Sequence, residues 1–182
     1  MMERTLVLVK PEGVKRALIG KVIGRFEDTG LKVTALKMLL PNRDIAGRHY
    51  PLDEEWYTNA WKKTEKGPEF KETPLQLGER VRSWLIENLI SGPVVAMVIA
   101  GNDAIASVRK IVGATAPNRA DPYSIRGMYS TDSYDLADTR KRVVRTIVHA
   151  SDSVPTAERE IKVWFTDNEI SDYKRADEDA VY

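Results

Sequence analysis

The chain has 182 residues, is 42% hydrophobic and 30% charged, and balances 28 Lys and Arg against 27 Asp and Glu. That length suits one domain with a substantial core, and the near-zero net charge argues against a general binder of nucleic acid or membrane surfaces, while leaving room for a local basic patch. Cys is absent, which excludes disulfides and thiolate metal sites, and with His occurring only twice a His-rich zinc centre is not expected.

Thr5 to Val9 is a continuous apolar run stopped by Lys10-Pro11, the pattern of a central strand buried on both faces. The run is too short for a secretion signal, and no run reaches membrane-spanning length. The chain therefore reads as cytoplasmic, with no membrane partner. Ile19, Val22, Ile23 and Phe26 follow helical spacing, and Gly30 closes that helix. Leu31 to Leu40 is a second strand, marked as an edge by Lys32 and Lys37.

Asn42 caps a short helix that ends at Tyr50-Pro51. Asp53 caps the next, with Glu54 and Glu55 in its first turn, Lys62, Lys63 and Lys66 toward its end, and Gly67-Pro68 as its stop. Thr73-Pro74-Leu75-Gln76 is a capping box, and Leu77, Val81, Leu85 and Leu89 continue the helix it opens. Tyr57 and Trp61 share a face, and Trp61 and Trp84 read as packing residues.

Gly92 to Ala100 is a third, wholly apolar strand. Asn102 or Asp103 caps a helix with Ile105, Val108 and Val112 inward, Arg109 on the flank and Gly113 at its end. Ala114 to Asp132 has no clear period. A loop of that length is often functional, and its Thr115 and Arg126 suit phosphate. Tyr134 to Arg142 is charged and reads as helix or loop.

Val143 to Val148 reads as a strand that delivers His149 to its carboxyl end. Ser151-Asp152-Ser153 follows. Ser153 is an N-cap, and Ala157, Ile161, Trp164 and Phe165 recur at helical spacing. An imidazole beside the free N–H groups of a helix start suits phosphate chemistry. A lone His after a strand is nonetheless more often a structural residue than a nucleophile. The tail, Thr166 to Tyr182, reads as extended or docked on a neighbouring subunit.

Strand, helix, strand, helical hairpin, strand, helix, loop, strand and helix reduce to βαββαβ. That order predicts a ferredoxin-like α/β (α+β) sandwich, a four-stranded, mostly antiparallel sheet covered by helices on one face.

Three stretches resemble the nucleoside diphosphate kinases: Glu3 to Val14, Gly92 to Ala100, and His149-Ala150-Ser151-Asp152-Ser153 with its helix. The resemblance covers about residues 3–57 and 83–165 and implies one domain over 1–182. About 58–82 and 133–142 are then insertions, and 166–182 is a polar tail. The implied activity moves the γ-phosphoryl of a nucleoside triphosphate to a nucleoside diphosphate by a ping-pong route through a phosphohistidine. His149 matches the nucleophile, Glu160 the carboxylate that orients it, and Ser151 a hydroxyl on the His or its phosphate. Lys10, Tyr50, Arg109, Thr115 and Arg126 match phosphate and ribose contacts, and Trp56, in preference to Tyr57, matches the base-stacking aromatic. Mg²⁺ arrives with the nucleotide and is held by phosphates and water, with no protein metal site. The family implies a homo-oligomer and no nucleic-acid partner.

Five positions depart from the family pattern. Glu12 stands where Asp is commoner, Tyr123-Ser124 where Gly-Thr is usual, and Met128 where Asp is usual. Thr146 replaces an Asn that meets the sugar hydroxyl, which implies weaker nucleotide binding or altered sugar discrimination. These departures motivate an alternative, a catalytically impaired nucleotide-binding module of the same fold. A nucleic-acid reader is a further alternative, but the strands lack interleaved basic and aromatic residues.

Overall fold

The computed structural model describes residues 2–63 and 71–181. Four strands form one sheet in the order β2-β3-β1-β4: β1 (Met2–Val9), β2 (Lys32–Leu39), β3 (Val94–Asn102) and β4 (Val148–Ala150). All three pairings are antiparallel, with Leu6 opposite Val98 and Leu8 opposite His149. The sheet with its helices is the ferredoxin-like architecture that the element order predicts.

Helices cover both faces, not one. The alternation along β1 requires it. Val7 and Val9 pack toward α2 (Ile19–Glu27) and α6 (Ala104–Val112), while Leu6 and Leu8 pack toward α3 (Arg43–His49), α5 (Pro74–Ile90) and α9 (Val154–Trp164). A strand apolar on both sides leaves neither side for water.

The predicted caps explain most boundaries. Asn42 accepts from Ile45 N at 2.9 Å, and Asp53 accepts from Trp56 N at 2.7 Å to start α4 (Glu54–Lys63). Thr73 and Gln76 complete their reciprocal box at the head of α5. The expected stop at Gly67-Pro68, like Lys66, lies outside the described residues. Asp103 sits at the cap position of α6 in a left-handed conformation but does not cap it with its side chain. Glu3, from the neighbouring β1, accepts from Ile105 N instead.

The aperiodic stretch after Gly113 folds into short pieces, a 3₁₀ turn at Pro117–Arg119 and α7 (Ile125–Tyr129). The charged stretch that follows holds α8 (Tyr134–Thr139). Buried Asp132 closes it by accepting from both terminal nitrogens of Arg142 and from Arg145 N.

Two expectations are corrected. The strand before His149 begins only at Val148. Ile147 has φ 66°, which breaks the extended backbone. The tail docks within its own chain, along β2. Ser171 N donates to Thr34 O at 2.8 Å, Lys32 Nζ to Tyr173 O at 2.7 Å and Arg175 to Leu31 O at 2.9 Å. It ends in α10 (Glu178–Val181).

Candidate active site

β1 and β4 lie side by side, so the chain segments at their ends meet. Lys10 follows β1 directly and heads α1 (Pro11–Lys15), and its main-chain N–H donates to Ile147 O at 2.8 Å. Val148 N in turn donates to Thr146 O at 2.7 Å. Thr146 to Val148 is therefore a γ-turn with a β-branched residue at positive φ. Such strain costs on the order of 1–3 kcal/mol and persists only where surrounding contacts enforce it. Gly13 permits the close approach, because a Cβ there would stand 2.8 Å from Val9 and 3.0 Å from Ile147 O.

The turn presents His149 from the middle of β4. Its Nε2 lies 2.8 Å from Glu160 Oε2, and the Ser151 hydroxyl donates to the same oxygen at 2.6 Å. Glu160 comes from α9, which starts at the Ser153 cap and runs back along the sheet so that its second turn faces β4. Ser151 therefore donates to the same carboxylate that His149 meets. Burial alone would raise the Glu160 carboxyl, but the facing His149, with His49 and Ser151, holds it at about 2. An ionised Glu160 accepts only, so His149 carries its proton on Nε2 and exposes the Nδ1 lone pair. The His149 side chain keeps 19% exposure.

His49, at the end of α3, was not singled out in the sequence. It is buried, its ring centroid 4.5 Å from that of His149. Burial drives it well below the usual imidazole range, so it is neutral. Trp164 donates to its Nδ1 at 3.2 Å, which leaves the proton on Nε2, a buried atom with no partner among the described residues. The signal was available: His49 precedes Tyr50, whose ring also flanks His149 at 6.2 Å.

The cations gather on the same side. Lys10 is 4% exposed, and burial pushes its ammonium down to about 8, with Glu12 opposing the shift and Arg126 reinforcing it. Arg126, from α7, donates to Gly113 O at 2.8 Å and to Val148 O at 3.0 Å. Burial, with neighbouring Arg109, lowers its guanidinium to about 10. Its buried Nε has no partner among the described residues, a donor suited to an incoming anion. Burial raises the Tyr50 hydroxyl far above its usual range, so it stays protonated and can donate.

The structure thus brings Lys10, Tyr50, Arg126, His149, Ser151 and Glu160 together, with Arg109 adjoining Arg126. Thr146 is buried, its hydroxyl turned to Val148 O at 3.3 Å. Exposed Thr115 and part-buried Trp56 stand outside this contact network among the described residues. Tyr57 packs tightly on Gly78 of α5, where an added Cβ would collide with it. That leaves Trp56 as the less committed aromatic.

Among the described residues, the grouping of three potential metal ligands is His49, His149 and Glu160. Two imidazoles suit softer ions than Mg²⁺, whose oxygen preference phosphates and water satisfy.

The profile of the family "Nucleoside diphosphate kinase" matches residues 3–71 and 77–170. A protein of that name from Archaeoglobus fulgidus is 44% identical over 181 residues, covering 100% of this chain and 98% of its own length. The crystal structure of an NDP kinase from Pyrobaculum aerophilum superposes with a TM-score of 0.87 at 41% identity, covering 94% of this chain and 100% of that one. A transition-state mimic of the Borrelia burgdorferi nucleoside-diphosphate kinase, with bound vanadate and ADP, superposes with a TM-score of 0.83 at 38% identity over 97% of this chain and 95% of that one. With matches that span nearly the whole sequence and agree in fold, the chain belongs to the nucleoside diphosphate kinase family.

Proposed function

We propose that this chain carries out the family's phosphotransfer through His149. The observation that carries the reading is the 2.8 Å pairing of His149 Nε2 with ionised Glu160, beside buried Lys10 and half-buried Arg126. Nδ1 attacks the γ-phosphorus of a nucleoside triphosphate. The bond from that phosphorus to the bridging oxygen breaks, and the oxygen leaves with the nucleoside diphosphate. Glu160 meets the positive charge that develops on the imidazole, and Lys10 and Arg126 meet the charge on the transferring group. A second nucleoside diphosphate then takes the phosphoryl by the reverse route. Mg²⁺, held by phosphate oxygens and water, spreads the charge of that group when bound.

Arg109, Thr115 and Thr146 complete the nucleotide contacts in this reading, and Trp56 stacks on the base, a contact tolerant of base identity. The working unit is one domain, 1–182, with about 58–82 and 133–142 inserted. The protein acts in the cytoplasm as a homo-oligomer. No described helix is long and apolar enough to cross a membrane. Exposed Leu36 and Met38 on edge strand β2 support self-association.

The alternative, binding without turnover, draws on Thr146, whose only hydroxyl faces its own backbone. The other departures support it less. Ser124 still caps α7, accepting from Gly127 N at 3.2 Å, and Tyr123 and Met128 are exposed. Brief incubation with γ-labelled ATP and Mg²⁺, without acceptor, decides between the readings. Transfer predicts an acid-labile, alkali-stable label that passes to added GDP and is missing from His149→Ala. A wild type that binds ATP and never labels leaves the binding module.

A further inference from the structure

Ile147 has both main-chain groups tied to the corner that follows β1. Its carbonyl accepts from Lys10 N, and its N–H donates to Glu12 Oε1 at 3.2 Å. The other oxygen of Glu12 accepts from Asn88 Nδ2 of α5 at 3.3 Å. One carboxylate therefore joins α1, α5 and the γ-turn that precedes His149. That turn holds a β-branched residue at φ 66°, so it depends on the contacts that enforce it.

The same side chain lies among the charges of the site. Groups that bear charge or titrate around Lys10 are Glu12 on α1, Arg126 on α7 and His49 on α3. His49 is neutral and Arg126 is a cation, so the one negative charge of this set is Glu12. Its field also reaches Tyr50 and Arg142.

We propose that Glu12 is a positioning residue for the phosphoryl transfer: its carboxylate pins the turn that presents His149 and balances the ammonium of Lys10, which faces the same phosphate. The inference rests on the reading of His149 and Lys10 above. Removing the charge while keeping the shape leaves Lys10 buried beside Arg126 without the carboxylate that raises it. The ammonium then loses its proton at lower pH, and the phosphate loses its cation there.

The test is the rate at which γ-labelled ATP with Mg²⁺ labels the protein in a single turnover, measured from pH 6 to 9.5. Wild type, Glu12→Gln and Glu12→Asp are compared. Glu12→Gln keeps an acceptor for Ile147 N–H. It is expected to stay within about threefold of wild type at pH 6.5 and to fall about tenfold below it at pH 8.5. Glu12→Asp restores the charge and is expected to recover most of the rate at pH 8.5. A Glu12→Gln profile parallel to wild type at every pH would overturn the proposal, since a purely structural role lowers the whole curve without moving its basic limb. Should Glu12→Gln not fold, Glu12→Asp decides: with the charge kept, its basic limb is expected within about half a pH unit of wild type, and a limb moved further toward acid would overturn the proposal. Wild type that takes no label at any pH defeats the His149 reading itself, a result distinct from either.

Discussion

His149 Nε2 and Glu160 Oε2 lie 2.8 Å apart, one on the middle residue of a three-residue strand and the other in the second turn of the following helix. The contact assigns the proton to Nε2, which makes Nδ1 the nucleophile of the proposed transfer. Phosphate is accordingly expected on Nδ1, read by ¹⁵N and ³¹P NMR of the labelled protein. Glu160→Gln can keep the spacing but places no negative charge against the imidazolium. It is expected to slow labelling by about 10²-fold or more, with stability little changed. Unaltered single-turnover kinetics in that variant would remove Glu160 from the mechanism.

In the proposed transfer Lys10 sets function against stability. Its folded ammonium titrates at about 8 against the ordinary 10.5, so between those values the unfolded chain binds more proton and stability rises with pH. Below about 8 the full cost of the buried charge remains. Lys10→Met is therefore expected to stabilise the fold at pH 7 by about 2–3 kcal/mol, and the gain fades as pH approaches the unfolded value. The same change should cut phosphoryl transfer by about 10²-fold or more. Melting curves at several pH values check the first claim. A Tm that falls in Lys10→Met would contradict it.

Thr146 spends its hydroxyl on Val148 O. Thr146→Asn supplies an amide that can reach a sugar hydroxyl, and is expected to tighten ADP by about three- to tenfold while changing dideoxy-ADP less. Calorimetric titration with both nucleotides measures this. Equal affinities before and after the substitution count against a sugar contact at this position.

Ser153 starts the helix that carries Glu160, accepting from Thr156 N at 3.3 Å. Ser153→Ala removes the cap and is expected to cost about 1 kcal/mol, or roughly 2–4 °C in Tm for a chain of this size. Labelling should fall less than in Glu160→Gln, because the rest of α9 stays packed through Ile161 and Trp164. A larger catalytic loss in Ser153→Ala than in Glu160→Gln would mean that the helix start, not the carboxylate, governs the site.

Local chemistry made much of this protein legible in its residues. Apolar runs and period-3.6 stripes marked the strands and main helices, and Asn42, Asp53, Thr73 and Ser153 marked where helices begin, because caps and periodicity act within a few residues. The candidate nucleophile and its carboxylate were legible only through resemblance. Tertiary structure decided everything that depends on pieces distant in sequence. It set the strained turn at Ile147 against the Lys10–Glu12 corner and placed His49 beside His149. It supplied Glu3, not Asp103, as acceptor at the start of α6, and laid the tail along its own β2. The physical reason is that burial, field and hydrogen-bond supply at a position are set by its neighbours in space. Antiparallel pairing of β1 with β4 is what brings Lys10 and Glu12, from one end of the chain, to the turn that carries His149, from the other.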